Sequence, residues 1–406
     1  MFLKTIAAAL SVGVKLLGLW MLITSLFFWR RRERPPRFAP ETRFACVIPA
    51  RNEAAVVAGL IRSLLAQRYP RALFDVFVAA NNCTDGTEAA AEAAGAEVIR
   101  CSGTVRCKGD ALRQAVALLL PRGYDAFCVF DADNTVNGGF LAAMNDALCA
   151  GAGVAKARTV TKNAGDTWVS GCYALYYGLF DTFYNPSRAA LGLSAKLVGT
   201  GFAVHRRVLE RMGGWITETI AEDAELYALC AQAGERVVWV PEAVTRDEAP
   251  TGFRVSLRQR RRWVSGVMDV ADRAAPALVR SLPGRGWACR ADALAFLLTP
   301  MAQAVSALAA VLFAAGAAGA GALQPFLRIA LLSAAAGAAA MMLLGGVIAR
   351  RIGLRGRTAI RSAALFPVFM ASWLPLQLLS AMRRVETWQE VRHGVCAAGR
   401  KRSPVR

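Results

Sequence analysis

Two carboxylates, Asp131 and Asp133, stand one residue apart (Ala132) at the end of the stretch Phe127-Cys-Val-Phe-Asp-Ala-Asp-Asn134. The four apolar or aromatic residues ahead of them lack polar alternation and predict a short strand buried on both faces. On an extended backbone the side chains at i and i+2 point the same way, so both carboxylates meet one ligand. Two hard oxygen donors at the carboxyl end of a buried strand suit Mg²⁺ or Mn²⁺ holding a diphosphate. That end is also where open α/β sheets bind ligands. The same pair equally fits an acidic turn without metal.

The elements that must position these carboxylates follow a β-α-β-α rhythm from Thr42 to about Val240. Strands are predicted at Phe44–Pro49, Phe74–Ala80, Val98–Cys101 and Phe127–Phe130. Helices are predicted at Glu53–Gln67, Thr87–Ala94, Asp110–Leu120 and Phe140–Cys149. Such alternation argues a parallel or mostly parallel sheet covered on both faces, an α/β fold. Polar residues collect after the strands: Pro49-Ala50-Arg51-Asn-Glu53, Asn81-Asn82-Cys-Thr-Asp85 and Asp131-Ala132-Asp133. Further on come an aromatic stretch (Trp168 to Tyr184), Gly199-Thr200-Gly201, and Glu222-Asp223-Ala-Glu225, which opens a helix whose N-terminus favours acidic residues.

Composition adds a membrane. The 406 residues are 55% hydrophobic, and the mean hydropathy is +0.35, too apolar for a wholly soluble chain. Ile6 to Trp29 forms an apolar run that, as a helix, spans about 36 Å, enough to cross a bilayer. Apolar runs recur at about 291–320, 326–349 and 362–382, the last broken by Pro367 and Pro375. Lys and Arg total 49 against 29 Asp and Glu, a net +20. These cations flank the apolar runs at Arg30–Arg34, Arg350–Arg361 and Arg383–Arg406, which fits the positive-inside rule and contact with the lipid bilayer. No nucleic-acid signature interleaves them, so no nucleic acid is expected as a partner; that reading rests on the high pI alone and would require a basic patch on the soluble domain. Positive-inside counting puts both the Arg350–Arg361 loop and the C-terminal tail in the cytoplasm, which predicts that the 362–382 run is re-entrant or interfacial. From Gly252 to Arg280 a basic amphipathic pattern predicts helices lying along the membrane surface. The ten cysteines contain no Cys-x-x-Cys pair and read as reduced residues.

Taken together, these residues resemble the membrane-bound glycosyltransferases of family 2, the group containing cellulose, hyaluronan, chitin and poly-N-acetylglucosamine synthases. The resemblance is carried by Ile48-Pro-Ala-Arg-Asn-Glu53, Asn82-Cys-Thr-Asp85, Lys108-Gly109, Phe130-Asp-Ala-Asp133, Gly199-Thr-Gly201, Glu222-Asp223 and Gln259-Arg-Arg-Arg262-Trp263. It covers roughly residues 42 to 275 well and continues more loosely to about Gly394. It implies a nucleotide-sugar-binding GT-A type domain with a Rossmann-like, mostly parallel sheet, flanked by N- and C-terminal transmembrane helices. The implied organisation is an anchor at 1–29, a basic linker at 30–41, a cytoplasmic catalytic domain at 42–250, and amphipathic interface helices at 251–288. Membrane segments at 289–382 and a basic cytoplasmic tail at 383–406 complete it. In that tail Val385-Glu-Thr-Trp388 to Gly394 looks like the gating segment of related synthases, or a surface amphipathic tail. The implied location is the inner or plasma membrane.

The resemblance also implies roles. A UDP-sugar donor would be bound by Pro49, Ala50, Arg51, Glu53, Asn81, Asn82, Asp85, Lys108, Asp131, Ala132, Asp133 and Arg262, with Mg²⁺ or Mn²⁺ on Asp133 and Asp131. Lys108 and Arg262 are the candidate cationic partners of the diphosphate. Asp223 matches the base that takes the acceptor hydroxyl's proton in an inverting transfer, with Glu222 and Glu225 as runners-up. Gly199, Thr200, Gly201, Glu222, Gln259 and Trp263 would meet the acceptor. Many members carry an aspartate where this chain has Asn81-Asn82; an amide carbonyl accepts the same uracil N–H, uncharged. The leading expectation is a synthase extending a β-linked polysaccharide from UDP-glucose or UDP-N-acetylglucosamine. The alternative is transfer to a glycolipid or other membrane lipid, as in ceramide glucosyltransferases, and a remote third is an inactive nucleotide-sugar sensor.

Overall fold

The computed structural model describes residues 2–30, 36–319 and 323–385. The tail segment around Trp388 and much of the basic linker lie outside the described residues. The chain opens with helix α1 (Phe2–Ser25) and then enters an alternating domain: β1 (Phe44–Ala50), α2 (Val57–Leu65), β2 (Phe74–Ala80), α3 (Thr87–Ala93), β3 (Glu97–Arg100), α4 (Lys108–Leu119), β4 (Ala126–Val129), β5 (Thr135–Val136) and α5 (Phe140–Cys149). It continues through β6 (Val154–Thr161), α6 (Trp168–Leu179), a π-turn at Phe180–Tyr184, α7 (Asn185–Ala190), β7 (Phe202–His205), α8 (Arg206–Met212), α9 (Glu222–Gln232) and β8 (Val237–Asp247). The last part is helical: α10 (Phe253–Ser281), α11 (Trp287–Gly319), α12 (Leu323–Arg351), α13 (Gly356–Ala371) and α14 (Trp373–Met382).

One eight-stranded sheet runs in the order β3-β2-β1-β4-β7-β6-β8-β5. Strands β3, β2, β1 and β4 are parallel, whereas β7 runs antiparallel to both β4 and β6. Alternate residues of β1 serve opposite cores. Ala45 and Val47 face the core shared with α4 and α9, while Phe44, Cys46 and Ile48 face the one shared with α2 and α5. Burial on both faces is why these strands read as unbroken apolar runs. The parallel strands point β1, β2 and β4 the same way, so the polar loops after Ala50, Ala80 and Val129 meet at one edge.

The basic amphipathic stretch is a single helix, α10, rather than several, and it packs on α9, α11 and α14. Among the described residues three helical segments are long and apolar enough to cross a membrane: Trp287–Ala315, Leu323–Arg351 and Gly356–Met382. The third is broken at Ser372 and tied at one end to the α/β domain and at the other to α10. Thr358 Oγ1 donates to the Gly165 carbonyl at 3.1 Å, and beyond its far end Arg384 pairs with Asp272 at 2.6 Å.

A fully buried ion pair joins α1, α7 and α11. The Arg188 guanidinium meets Asp292 with Nε–Oδ2 3.2 Å and Nη2–Oδ1 3.1 Å, both side chains being 0% exposed. Arg188 also donates to Thr24 and Ser25 of α1, and Trp20 Nε1 donates to Asp292 Oδ1 at 2.9 Å. Removing one partner of such a pair strands a buried charge, whereas replacing both by apolar groups is often neutral. Asp292→Asn is therefore expected to cost about 3–5 kcal/mol in thermal unfolding of the detergent-solubilised protein, and Arg188→Met with Asp292→Leu to recover most of it. Equal melting of the parent and Asp292→Asn would remove the pair's structural role.

Candidate active site

The loops after β1, β2 and β4 wall one end of a cavity of about 1080 Å³. Pro49, Ala50, Arg51 and Glu53 contribute from the first loop, Asn81 from the second, and Asp131, Ala132 and Asp133 from the third. Lys108, the first residue of α4, enters from the opposite wall, with Gly199, Thr200, Glu222 and Asp223 beside it. Gln259, Arg262 and Trp263 of α10 complete the middle of the cavity.

Asp131 and Asp133 reach the cavity by a turn rather than along an extended strand. The β4 ladder stops at Val129, and the Asn134 amide closes back on the Asp131 carbonyl at 3.1 Å. The turn is pinned from behind: the Asp131 amide donates to Thr200 Oγ1 at 3.1 Å, and Asn134 Nδ2 bridges Asp133 Oδ1 and Asp247 Oδ1, each at 3.1 Å. Half-buried Asp247, at the end of β8, is pushed up to about 6 by desolvation and then by Asp131.

Lys108 is the most heavily coordinated cation here. Its ammonium donates to Asp131 Oδ1 at 2.6 Å and to the Gly199 carbonyl, and it pairs with Glu222 Oε1 at 3.0 Å. Burial by itself would lower its pKa, but the Asp131 and Glu222 carboxylates raise it above the ordinary lysine value. Glu222 is pushed up to about 7 by its own burial, against the pull of Lys108. Asp223, the next residue of α9, is half-buried; its Oδ2 accepts the Gly199 amide at 2.7 Å and its Oδ1 the Ala224 amide at 2.8 Å. Glu225 sits outside the cavity lining, and its Oε2 holds the Glu218 and Thr219 amides at 2.9 and 2.7 Å.

Asn82, Asp85 and Gly201, expected from sequence to contact donor or acceptor, do not line the cavity. Asp85 spends both oxygens on loops: Oδ2 accepts the Ala54 amide at 3.1 Å and Oδ1 the Thr87 amide at 2.9 Å. Asn82 is exposed in a left-handed conformation (φ 47°) and donates to Asn81 Oδ1 at 3.0 Å. Gly201 lies behind the site in the sheet, its amide bonded to the Val129 carbonyl at 2.8 Å.

Gln259 Oε1 accepts the Tyr173 hydroxyl at 2.8 Å, and Trp263 stands edge-on to Tyr173 at 6.0 Å. Arg262 lines the cavity and makes no hydrogen bond or ion pair among the described residues, whereas its neighbours Arg260 and Arg261 each donate to a backbone carbonyl. Arg260, which sequence reasoning passed over, is fully buried. It donates to the Phe369 carbonyl at 2.9 Å and lies over the rings of Phe369 and Trp373 at 4.1 and 5.2 Å. Its signal was available: Ser256, Arg260, Val264 and Met268 recur every fourth residue as the buried stripe of α10. Lys196, Tyr176 and Asp247 also line the cavity, and no motif marked them.

The donor set fits a divalent cation. Asp131 and Asp133 offer hard oxygens on a rigid turn, and Mg²⁺ and Mn²⁺ commonly take one or two carboxylates plus substrate phosphates. No cluster of three His, Cys, Asp or Glu gathers among the described residues, so diphosphate oxygens would have to complete the coordination. All nine described cysteines are free.

Residues 40–266 match the family model described as "Glycosyltransferase like family 2". The chain is 28% identical over 236 residues to "Probable glycosyltransferase YdaM" of Bacillus subtilis, covering 55% of each protein. It is 31% identical over 229 residues to the "Beta-monoglucosyldiacylglycerol synthase" of Nostoc sp., covering 54% of this chain and 48% of that one. It thus spans about half the length of the curated relatives it matches. A solved mannosyltransferase, PcManGT from Pyrobaculum calidifontis in complex with GDP-Man and Mn²⁺, superimposes with a TM-score of 0.60 over 91% of this chain and 99% of that one. At 22% identity that likeness is one of fold.

Gly201 generates a direct test of how the site is seated. Its φ is +66°, and a Cβ built there would lie 2.0 Å from Thr245 Oγ1. Gly201→Ala is expected to destabilise the protein by about 1–3 kcal/mol through left-handed strain and overpacking. Adding Thr245→Ala should return part of that loss in a thermal-unfolding cycle. A Gly201→Ala protein that melts with the parent would contradict this packing.

Proposed function

The chain belongs to the family described as glycosyltransferase like family 2, and from that premise we propose an inverting transfer of a hexose from a uridine diphosphate sugar to a membrane lipid. The observation that carries the acceptor is the length of the cavity. Beyond Asp223 and Trp263 it continues between Phe296 and Ala307 of α11 and past Trp373, Leu374 and Gln377 of α14. Phe296 to Ala307 corresponds to roughly 16 Å of helix rise. A nucleotide sugar at the sheet edge has no use for so long an extension, which is lined by Phe296, Pro300, Ala307 and Leu374 together with Thr299, Gln303, Ser306 and Gln377, whereas a lipid acceptor presents its head group at Asp223 and its acyl body there. This reverses the order in which the sequence resemblance ranks polymer and lipid acceptors. The polymer reading keeps one supporting observation: the rings of Tyr176, Trp373 and Trp263 succeed each other along the cavity at 5.5 and 6.4 Å and offer faces for pyranose rings.

In the proposed reaction the acceptor hydroxyl oxygen attacks the anomeric carbon as Asp223 takes its proton. The bond from that carbon to the diphosphate oxygen breaks, and its electron pair leaves with the nucleoside diphosphate. The Gly199 and Ala224 amides fix the Asp223 carboxylate. Lys108 supplies positive charge beside Asp131, and Arg262 offers a guanidinium fork to phosphate oxygens. A Mg²⁺ or Mn²⁺ held by Asp131 and Asp133 would neutralise the leaving diphosphate.

Two outcomes are expected. Chelation should abolish transfer from labelled UDP-glucose or UDP-N-acetylglucosamine, Mg²⁺ or Mn²⁺ should restore it, and the product should extract into organic solvent. Full activity in excess chelator, or label confined to a water-soluble polymer, would overturn the metal or the lipid assignment respectively. Asp223→Asn should cut turnover by at least ~10²-fold, typical of losing a general base, while UDP still binds. Loss of UDP affinity in that variant would make Asp223 a structural residue.

A further inference from the structure

The cavity holds a second lysine whose surroundings contrast with those of Lys108. Lys108 is saturated by three oxygens, two of them anionic. Lys196, three residues before Gly199, also faces the cavity and is half-buried. Its ammonium sits 3.9 Å from the centre of the Phe180 ring, 5.0 Å from that of Phe296 and 5.5 Å from that of Tyr176. Its hydrogen-bond partner among the described residues is the Tyr176 hydroxyl, at 3.3 Å. An ammonium has three N–H donors, so two are left over. No carboxylate stands within ion-pair distance among the described residues; Asp223 acts on it only at longer range.

The segment that carries it is held firmly. The Ala195 amide bonds to the Val237 carbonyl at 2.8 Å and the Lys196 amide to Asn185 Oδ1 at 3.1 Å. Phe296 belongs to α11, along which the far limb of the cavity runs. Lys196 therefore stands between the candidate base and the membrane helices, where the head group of an acceptor lipid would lie. A caged ammonium without a counter-ion is costly to keep charged, and burial pushes it down to about 8. A ligand that brings an anion removes that cost; a neutral one supplies hydrogen bonds only.

We propose that Lys196 determines acceptor specificity by pairing with a phosphate in the head group of the acceptor lipid. The inference rests on the lipid reading above and narrows it to anionic lipids. The phosphate serves in one of two ways. It lies beside an attacking hydroxyl, whose proton goes to Asp223, or its own anionic oxygen attacks the anomeric carbon and no proton moves. In both cases the nucleoside diphosphate leaves with the electron pair of the broken bond.

The test uses the full chain in a neutral detergent with labelled UDP-glucose or UDP-N-acetylglucosamine. Mixed micelles carry dioleoylglycerol (neutral), dioleoylphosphatidylglycerol (hydroxyl beside phosphate) or dioleoylphosphatidate (terminal phosphate). One of the two phosphate lipids should exceed dioleoylglycerol in kcat/KM by about tenfold, the scale of one charge-assisted contact. Lys196→Met should erase that preference mainly through KM, and Lys196→Arg should keep most of it. With phosphatidylglycerol as acceptor, Asp223→Asn should stop transfer, because the attacking hydroxyl must give its proton to Asp223. Dioleoylglycerol serving the parent as well as either phosphate lipid overturns the proposal. So does a Lys196→Met defect equal for all three lipids, the result expected if Lys196 only balances the charge of Asp223. Polymer formation with no lipid labelled overturns the lipid reading and this inference with it, whereas the first two results leave the lipid reading standing. Retention of phosphatidylglycerol over dioleoylglycerol, read by native mass spectrometry, needs no donor turnover; equal retention by the parent also overturns the proposal.

Discussion

The site depends on one mostly enclosed cation. Lys108 ties three pieces of chain that are far apart in sequence: the turn after β4 through Asp131, the start of α9 through Glu222, and the segment before β7 through the Gly199 carbonyl. Without it, Asp131 and Glu222 would be carboxylates sharing a poorly solvated cavity, and the Gly199 carbonyl would lose the ammonium that helps hold this segment against Asp223. Truncating the central cation of such a network leaves its anions uncompensated, which costs far more than the net worth of any single contact. The close seat of α4 follows from the same need. A Cβ on Gly109 would come within 2.6 Å of Thr217 Oγ1, so the residue after Lys108 has room for glycine alone.

The flanking helices are fastened to this domain by two buried arginines, each solved differently. Arg188 meets the Asp292 carboxylate and three groups of α1, which fixes α1 and α11 against α7. Arg260 meets no carboxylate; the Phe369 carbonyl, Ser256 and three aromatic rings hold it instead, which fixes α10 against α13 and α14. Because α10 also carries Gln259, Arg262 and Trp263, the seat of α14 sets where those side chains stand. The cavity is thereby continuous from the sheet edge to the C-terminal helices as a result of packing.

Much of this was legible in the residues. Strands β1, β2 and β4 are buried on both faces, and apolar runs of Val, Ile, Phe and Ala have no competing explanation once turn residues bound them. The polar loops after them had to converge because parallel strands end at one edge. Strands β6 and β8 were not legible. The first carries Lys156, Arg158 and two threonines, and the second is interrupted by Pro241 and Glu242, so their alternation is lost where the ladder shifts register between Ala157 and Arg158. The antiparallel insertion of β7 between β4 and β6 has no local signature. The clamp role of Asp85 was not legible, because an acidic residue after a strand suits a loop clamp as well as a ligand. The Arg188–Asp292 pair spans 104 positions and lies beyond any periodicity argument. Lys196 was missed because its significance is what it lacks, a counter-ion, and only the assembled cavity displays that.

The central claim is that the Lys108 network organises the donor end of the cavity. It is tested most directly by titrating UDP calorimetrically onto the full-length protein with Mn²⁺ present and with it chelated, for the parent and for Lys108→Met. The account predicts binding that requires the metal in the parent and falls by at least about tenfold in Lys108→Met, the scale of one lost charge-assisted contact. Equal, metal-independent affinity in both proteins would contradict it.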